Sequence, residues 1–187
     1  TLTLDNKNIE TTQSVTKLWK TLPNAQVLVT ENPSYKELTH RRSVFFVDNS
    51  YFVIVDEAIG NATGNVNLHY QLCDGKADLD KAKGQLSTRY PGSSNVLLRC
   101  FGPDKMQMVE EEGWYSIAYR QRTQRPAIAF NVEKTTGETV RYVTVIYPQK
   151  QVKKSMKISA SIKNATDNKL EVEVSVNGRK QTLGYEF

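Results

Sequence analysis

The residue types best suited to binding a charged ligand are concentrated between Trp114 and Arg125. Arg120 and Arg122 are two positions apart, so on a β-strand their guanidinium groups would lie on one face. A guanidinium can hold a carboxylate or a sulfate through two parallel hydrogen bonds. Trp114 and Tyr115 are suited to stacking on sugar rings at the same edge. The sequence therefore predicts an anion-binding surface here, and the alternative is an edge strand whose charges resist aggregation.

A second basic cluster precedes an apolar stretch in the first third of the chain. His40, Arg41 and Arg42 come before this stretch, and Asp56 and Glu57 follow it. Charged residues at strand ends are most often solvated, which is the simpler interpretation of all five. The alternative is that they form a cationic rim leading into a ligand cleft. Arg41 and Arg42 are therefore weaker candidates for substrate binding.

Recognisable catalytic and metal-binding motifs are absent from the sequence, which has no G-x-S-x-G, H-E-x-x-H, P-loop or EF-hand pattern. His40 and His69 are the only histidines, and each is interpreted as structural. Asp74, Asp78 and Asp80 lack the glycine and terminal glutamate of a calcium loop and are interpreted as a solvated surface. The sequence thus predicts no catalytic residue, no metal site and no cofactor in this chain.

The spacing of the two cysteines along the sequence, Cys73 and Cys100, fits neither a zinc site nor a CxxC redox motif. Two buried thiols are one interpretation of this pair. A single disulfide is the other, if the protein is exported.

Composition favours an anionic partner. The 187 residues include 25 Lys and Arg against 20 Asp and Glu, giving a formal charge of +5 and a pI near 9.1. This balance favours polyanions as partners over anionic proteins. No apolar run approaches membrane-spanning length, and no signal peptide is visible. Because Thr1 already lies in an alternating Thr-Leu-Thr-Leu pattern without an initiator methionine, we expect a piece of a longer polypeptide.

Two short apolar runs, 44–47 and 51–55, predict a tight β-hairpin at the centre of the fold. Adjacent strand residues point to opposite faces, so Phe45 and Phe46 require cover on both faces of the hairpin. We therefore expect this hairpin in the middle of a sheet that is packed between other layers.

Strict alternation of apolar and polar residues over about the last forty positions predicts strands with one buried face. Asn177-Gly178 is the preferred dipeptide of a two-residue hairpin turn. Residues 113–121 and 126–133 are predicted to pair around the basic segment 120–125. Residues 74–84 are predicted to be a surface excursion that could include one helical turn. About a dozen short strands with little or no helix predict an all-β, antiparallel β-sandwich of stacked sheets. We expect a single domain spanning 1–187.

The order of several segments resembles a known protein family. H-R-R-S-V-F-F-V at 40–47, Y-F-V-I-V-D-E at 51–57, E-E-G-W-Y-S-I-A-Y-R at 111–120 and V-T-V-I-Y-P at 143–148 carry the likeness. Together they resemble the C-terminal β-sandwich of the heparinase II/III family of bacterial polysaccharide lyases, in its heparinase III-like members. The resemblance extends from Thr1 to about Pro148.

This resemblance implies a two-part enzyme in which an α-helical toroid precedes the β-sheet domain and an acidic polysaccharide such as heparan sulfate binds between them. Such enzymes act by β-elimination: the uronate carboxylate is neutralised, a base removes the C5 proton, and an acid protonates the leaving oxygen. The family's Asn, Tyr and His for these steps precede Thr1. The resemblance therefore implies a C-terminal portion that packs against the toroid and is inactive alone.

The resemblance also implies a periplasmic or secreted bacterial protein, with neither nucleic acid nor a membrane as partner. The alternative is a non-catalytic carbohydrate-binding or structural β-sandwich module of a surface protein. Measurable glycan affinity of the chain by itself would favour the carbohydrate-binding module.

Overall fold

The computed structural model describes residues 1–9, 12–92, 94–150 and 156–187. These residues form seventeen strands and one short 3-10 helix, Lys81–Lys83. None of them forms a helix of the length and hydrophobicity that crossing a bilayer would require. The strands are β1 Leu2–Leu4, β2 Val15–Thr21, β3 Ala25–Tyr35, β4 Leu38–Val47, β5 Tyr51–Ile59, β6 Gly64–Gln71, β7 Lys76–Asp80, β8 Gln85–Arg89, β9 Asn95–Phe101, β10 Gln107–Glu111, β11 Trp114–Ala118, β12 Gln121–Gln124, β13 Ala127–Lys134, β14 Val140–Gln149, β15 Ile158–Ala165, β16 Lys169–Val176 and β17 Arg179–Glu186.

The strands make three stacked antiparallel sheets and a separate two-stranded hairpin. The largest sheet has eight strands in the order β2-β3-β4-β5-β14-β9-β8-β7. A four-stranded sheet, β1-β6-β13-β10, and a three-stranded sheet, β15-β16-β17, lie on opposite faces of it. The hairpin is β11-β12. The predicted all-β sandwich of stacked sheets is confirmed, with more strands than the sequence indicated.

One hydrophobic core lies between the eight-stranded and three-stranded sheets. Phe45, Val53 and Val145 on the large sheet pack with Val172 and Leu183 of the small one, and all five are essentially inaccessible to solvent. The apolar members of the alternating C-terminal strands point into this core, as predicted. Asn177 and Gly178, both with positive φ, form the turn between β16 and β17.

A second core lies between the eight-stranded and four-stranded sheets. Tyr142, Leu86 and Leu98 of the large sheet meet Leu68 and Phe130 of the four-stranded sheet. The buried Tyr142 hydroxyl donates a hydrogen bond to the Val66 carbonyl at 3.1 Å, which joins the two sheets across the core. Each face of the large sheet is thus at least partly covered by another sheet.

The hairpin β4–β5 occupies the predicted central position, but its cover is uneven. Phe45 is fully buried against the three-stranded sheet. Phe46, on the opposite face, is only half-buried, and its stacking partner Phe52 is 37% exposed. Among the residues that the structure describes, the prediction that both faces of the hairpin tip are covered is wrong, because the four-stranded sheet does not extend over this part of the face.

The charged residues that flank the hairpin are buried or half-buried and are paired with one another, so their interpretation as solvated strand ends is wrong. Asp56 and Glu57 are 0% and 1% exposed. The Glu57 carboxylate accepts a hydrogen bond from Arg141 Nε at 2.7 Å and lies 3.8 Å from an Arg41 amino group. Asp56 is held by His40 and Arg42 on the other face of the sheet. These acids are buried because each has cationic partners on neighbouring positions or strands.

The segment 74–84 lies at the surface and contains one helical turn, Lys81–Lys83, but it is not only a loop. Lys76–Asp80 within it forms the edge strand β7, which pairs with β8. One further prediction, about strand pairing, is wrong. The segment before the basic run does not pair with 126–133, because Gln121–Gln124 is itself a strand and folds back on β11. Strand β13 pairs with β6 and β10 instead.

Candidate functional site: a basic hairpin arm beside a cleft

The predicted anion-binding residues lie on an exposed hairpin that we call the hairpin arm, residues Gly113–Arg125. In β11 only Tyr115 is even half-buried, and every residue of β12 is exposed. Arg120 has φ +62° and lies in the turn with Tyr119, whereas Arg122 is on β12. The prediction that Arg120 and Arg122 share a strand face is therefore wrong, because the chain reverses at Arg120.

Local contacts hold the arm in place even though a two-stranded hairpin alone is marginally stable. The Arg125 amide donates to the Gly113 carbonyl at 3.0 Å and closes the base of the arm. A Cβ at Gly113 would lie 2.7 Å from Ala127 Cβ and 2.9 Å from the Arg125 carbonyl, so only glycine fits there. The Ser116 hydroxyl donates to the Gln121 carbonyl at 2.7 Å, where the strand register shifts.

Two guanidinium groups of the arm each lie over an aromatic ring. The Arg122 guanidinium lies 4.2 Å from the centre of the Trp114 ring, and that of Arg120 lies 5.3 Å from the Tyr119 ring. Trp114 is 41% exposed and Tyr119 is 87% exposed. These cation–π contacts hold the guanidinium groups in place and leave their hydrogen-bond donors available to solvent.

The arm has free positive charge because the nearby acids are already paired. Glu110 contacts Lys81 at 2.8 Å, Glu111 contacts His69 at 2.8 Å, and Glu112 accepts a hydrogen bond from Trp114 Nε1 at 2.7 Å. In the described part of the chain, Arg120, Arg122 and Arg125 form no ion pair. Two exposed guanidinium groups and the half-buried one of Arg125, all within six positions, therefore produce a local positive field.

A cleft of about 650 Å³ lies near the arm and is lined by Arg42, which we call the Arg42 cleft. Its other lining residues are Thr1, Thr3, His69, Tyr70 and Gln71. The Gln71 side chain accepts a hydrogen bond from the Arg125 guanidinium, which connects the cleft to the arm. The structure thus places Arg42, Arg125 and the arm along one continuous surface.

The floor of the Arg42 cleft is a buried network centred on Asp56. Arg42 Nε donates to Asp56 Oδ1 at 2.7 Å, and His40 Nε2 lies 2.6 Å from the same oxygen. Burial by itself raises the pKa of Asp56, but the His40 hydrogen bond and the Arg42 charge outweigh it and lower that pKa. Burial and the neighbouring Asp56 raise the pKa of Tyr70 well above its ordinary value. Asp56 is therefore a carboxylate that orients Arg42, and Tyr70 is a neutral phenol.

Two other predicted or conspicuous residues have structural partners. Arg41 is 7% exposed, donates to Glu31 and to the Asp167 carbonyl, and lies on the opposite face from Arg42. Its guanidinium has no access to a ligand on the arm or in the cleft, so we leave Arg41 out of the candidate site. His69 contacts Glu111 through Nδ1 and Thr3 through Nε2, both at 2.8 Å.

The aspartates and cysteines noted in the sequence form neither a metal cluster nor a disulfide among the residues described. No group of three or more His, Cys, Asp or Glu among them could hold a metal ion. Asp78 forms an ion pair with Arg89. The Asp80 carboxylate accepts a hydrogen bond from the Lys83 backbone amide at the start of the 3-10 helix. Both cysteines are free: Cys100 is buried, with its pKa raised by burial, whereas Cys73 is exposed. The interpretation of two buried thiols is thus wrong for Cys73.

Sequence reasoning placed Arg125 in the basic segment without assigning it a binding role, and it missed Gln71. Gln71 ends β6 and Arg125 ends the arm, and the two are distant in sequence. Their contact depends on the pairing of β6 with β13, which no local pattern revealed. The presence of Arg125 as the third arginine of the basic segment was the only feature of the sequence that pointed to this contact.

Comparison of the sequence with known proteins identifies one family and its members along most of the chain. Residues 1–161 match the family described as Heparinase II/III-like, C-terminal. A heparin-sulfate lyase from Bacteroides stercoris is 54% identical over 189 residues, covering 100% of this chain and 28% of the relative. A heparin-sulfate lyase from Pedobacter heparinus is 37% identical over 187 residues, covering 98% of this chain and 28% of the relative.

Superposition on solved structures identifies the same family of proteins. A solved structure of the heparinase III–BT4657 gene product superposes with a TM-score of 0.96 at 54% identity, covering 100% of this chain and 30% of that structure. The chain thus spans about 28% of the length of the curated relatives it matches. On the profile match, the identities and the superposition, this chain belongs to the Heparinase II/III-like, C-terminal family.

Proposed function

We propose that this chain is the C-terminal part of a polysaccharide lyase that cleaves heparan sulfate or a related uronate-containing glycan by β-elimination. The observation that carries this proposal is the identity of 54% with a heparin-sulfate lyase over the whole chain. The residues that remove and return the proton belong to the remaining part of such an enzyme. A periplasmic or secreted location follows from the proposal, since its substrate is an extracellular polysaccharide.

The role we assign to this chain is to hold the acidic polysaccharide through the hairpin arm and the Arg42 cleft. Arg120 and Arg122 present exposed guanidinium groups without an ion-pair partner among the described residues, and such groups bind sulfate or carboxylate through charge-assisted hydrogen bonds. Arg125, held by Gln71, adds a third positive charge at the base of the arm. The exposed faces of Trp114 and Tyr119 offer apolar area to sugar rings between the anionic groups. A repeating acidic polysaccharide also carries both anionic groups and sugar rings along its length, so such a surface can contact both.

Contacts of this kind are remote from the bond that breaks. They contribute equally in the bound ground state and in the transition state, so they lower KM without raising kcat. Their effect depends on salt, because exposed charges are screened within about 10 Å at 0.1 M ionic strength.

The test replaces Arg120 and Arg122 together by alanine in the longer lyase polypeptide and measures kinetics on heparan sulfate at two ionic strengths. Two exposed charge contacts of about 0.5–1 kcal/mol each raise KM by about fivefold or more at low salt. We expect kcat to change little and the effect on KM to shrink at high salt.

The matched control is Arg179→Ala with Lys180→Ala, which removes the same charge from exposed positions at the start of β17. The control should leave KM near its original value. An unchanged KM at low salt in the arm variant, or an equal rise in the control, would contradict substrate binding by Arg120 and Arg122. The arginines would then only protect an exposed edge strand from aggregation.

A non-catalytic carbohydrate-binding module is the second candidate, and the exposed, unpaired arm is the observation that favours it. It predicts that the 187-residue chain binds heparan sulfate by itself with an affinity that the arm variant abolishes. The lyase proposal predicts at most weak binding by this chain, because the polysaccharide is held between two parts of the enzyme. Calorimetric titration of the chain with heparan sulfate oligosaccharides distinguishes them.

A further inference from the structure

The face of the eight-stranded sheet that meets the four-stranded sheet is covered over only part of its width. Two cross-strand rows run along this face, Trp19, Leu28, Val44, Ile54 and Thr144, then Thr21, Gln26, Phe46, Phe52 and Ile146. At the β14 end Thr144 is fully buried, and Leu98 and Cys100 on the next strand are 2% exposed. At the β2 end Trp19 is 78% exposed.

The uncovered part is apolar, and we call it the open face: Trp19, Leu28, Val44, Phe46, Phe52 and Ile54. Leu28, Val44, Phe46 and Ile54 are half-buried by their neighbours in the sheet, and Phe52 is 37% exposed. Among the described residues, none of these six side chains packs onto either hydrophobic core. Contiguous apolar side chains from four adjacent strands are a feature of surfaces that another structure covers.

Two further features suit the open face to a packed partner. A groove of about 360 Å³ lies at its end, where Phe46 and Gln26 meet the turn at Pro23. At its other end a polar cross-strand row, with Arg42 and the buried Asp56, separates the open face from further apolar positions. An apolar centre with a recess and a polar border is the usual composition of a buried interface.

We propose that the open face is the docking surface for the part of a longer lyase polypeptide that this chain does not include. The occupant is identified by length: the chain spans about 28% of its curated relatives, so most of such a polypeptide lies elsewhere. A surface of six apolar residues within one polypeptide is buried by its own neighbouring domain at no cost in translational freedom. This inference rests on the proposed function, because it requires that longer polypeptide.

The experiment measures thiol accessibility on the open face in the longer polypeptide. Gln26 is exposed on this face beside Phe46, and Thr182 is exposed on the outer surface of β17. Gln26→Cys and Thr182→Cys are made separately in a Cys73→Ser background, which removes the exposed native thiol. Maleimide labelling of each new cysteine is followed by mass spectrometry of its peptide.

We expect Cys at position 26 to be labelled about tenfold or more slowly than Cys at position 182 in the longer polypeptide, and at a similar rate in the 187-residue chain. Similar rates at both positions in the longer polypeptide would overturn the proposal. So would slow labelling at position 26 in the 187-residue chain that is relieved by dilution, since this identifies a second copy as the occupant.

The lyase activity of the same longer polypeptide is measured in parallel. Slow labelling in an inactive polypeptide would leave the docking surface in place and contradict the proposed function. Equal labelling in an active lyase would contradict the docking surface alone.

Discussion

Two sheet faces of this molecule point away from its cores, and their compositions are opposite. The outer face of the three-stranded sheet presents Ser159, Ser161, Glu173, Ser175 and Thr182, which are polar and at least partly accessible. The open face presents Trp19, Val44 and Phe52 among its six apolar residues. Both faces belong to well-formed antiparallel sheets, so secondary structure does not explain the difference.

The difference indicates which of the two faces has the composition of a solvent-exposed surface. A sheet with one solvated face alternates apolar and polar residues, as β15 to β17 do. Strands β4 and β5 carry apolar residues on both faces near their turn, which is the pattern of a sheet buried on both sides. Among the described residues only one of those faces is covered, so the hairpin has the sequence of a doubly covered strand pair but only one covering layer.

The largest expected effect compares adjacent residues of β4 in the 187-residue chain. Phe45 is fully buried, whereas Phe46 is half-buried and contacts mainly Phe52 at a ring distance of 4.7 Å. Phe45→Ala should lower the free energy of unfolding by about 4 kcal/mol, and Phe46→Ala by about 1 kcal/mol. Urea unfolding of both variants measures this.

Equal large losses for the two variants would contradict an open face in the isolated chain. In the longer polypeptide the docking proposal predicts that the loss for Phe46→Ala increases toward that for Phe45→Ala, because the second face is then buried.

A somewhat smaller effect is expected at the polar row that borders the open face. Asp56→Asn leaves Arg42 without its buried carboxylate partner and should lower the free energy of unfolding by about 3 kcal/mol at neutral pH. Chemical denaturation at several pH values measures both the loss and its pH dependence.

The pH dependence has a definite sign. The pKa of Asp56 in the folded protein lies below its ordinary value of 3.8, so the unfolded chain binds the proton first as pH falls. The stabilisation is complete above that value and is lost as pH falls from about 4 through the folded pKa. The gap between the original protein and Asp56→Asn should therefore narrow in acid, and a gap that stays constant would exclude Asp56 as the source.

The smallest effect is expected on the polar outer face. Glu173 lies 3.5 Å from Lys163, and their side chains are 37% and 47% exposed. Glu173→Ala should change the free energy of unfolding by less than about 0.5 kcal/mol. A loss above 1 kcal/mol would show that this face is under a packing constraint and would weaken the contrast with the open face.

Strand periodicity made much of the fold predictable from sequence. The alternation in β15 to β17 and the Asn177-Gly178 turn identified a C-terminal sheet with one buried face. The mixed faces of β4 and β5 identified a central hairpin. Local patterns of this kind report which side chains face apolar surroundings, but they do not identify the layer that supplies the cover.

Pairing and burial of charge were less predictable, for the same physical reason. Asp56 and Glu57 looked like solvated strand ends because their partners Arg42 and Arg141 are on other strands. Arg120 looked like a strand residue, although it occupies a turn position with positive φ, which few residues other than glycine, asparagine and aspartate adopt readily. The arm residues Trp114, Tyr115, Arg120 and Arg122 were identified, and their role in binding stays a prediction.

The central claim is that this chain supplies binding and packing surfaces and depends on the rest of a lyase polypeptide for chemistry. The most direct test incubates the 187-residue chain and the longer polypeptide separately with heparan sulfate and follows the ultraviolet absorbance of the unsaturated uronate formed by β-elimination. We predict a sustained rise with the longer polypeptide and none with the 187-residue chain. A sustained rise with the 187-residue chain that is lost in His40→Ala or Tyr119→Phe would contradict the account.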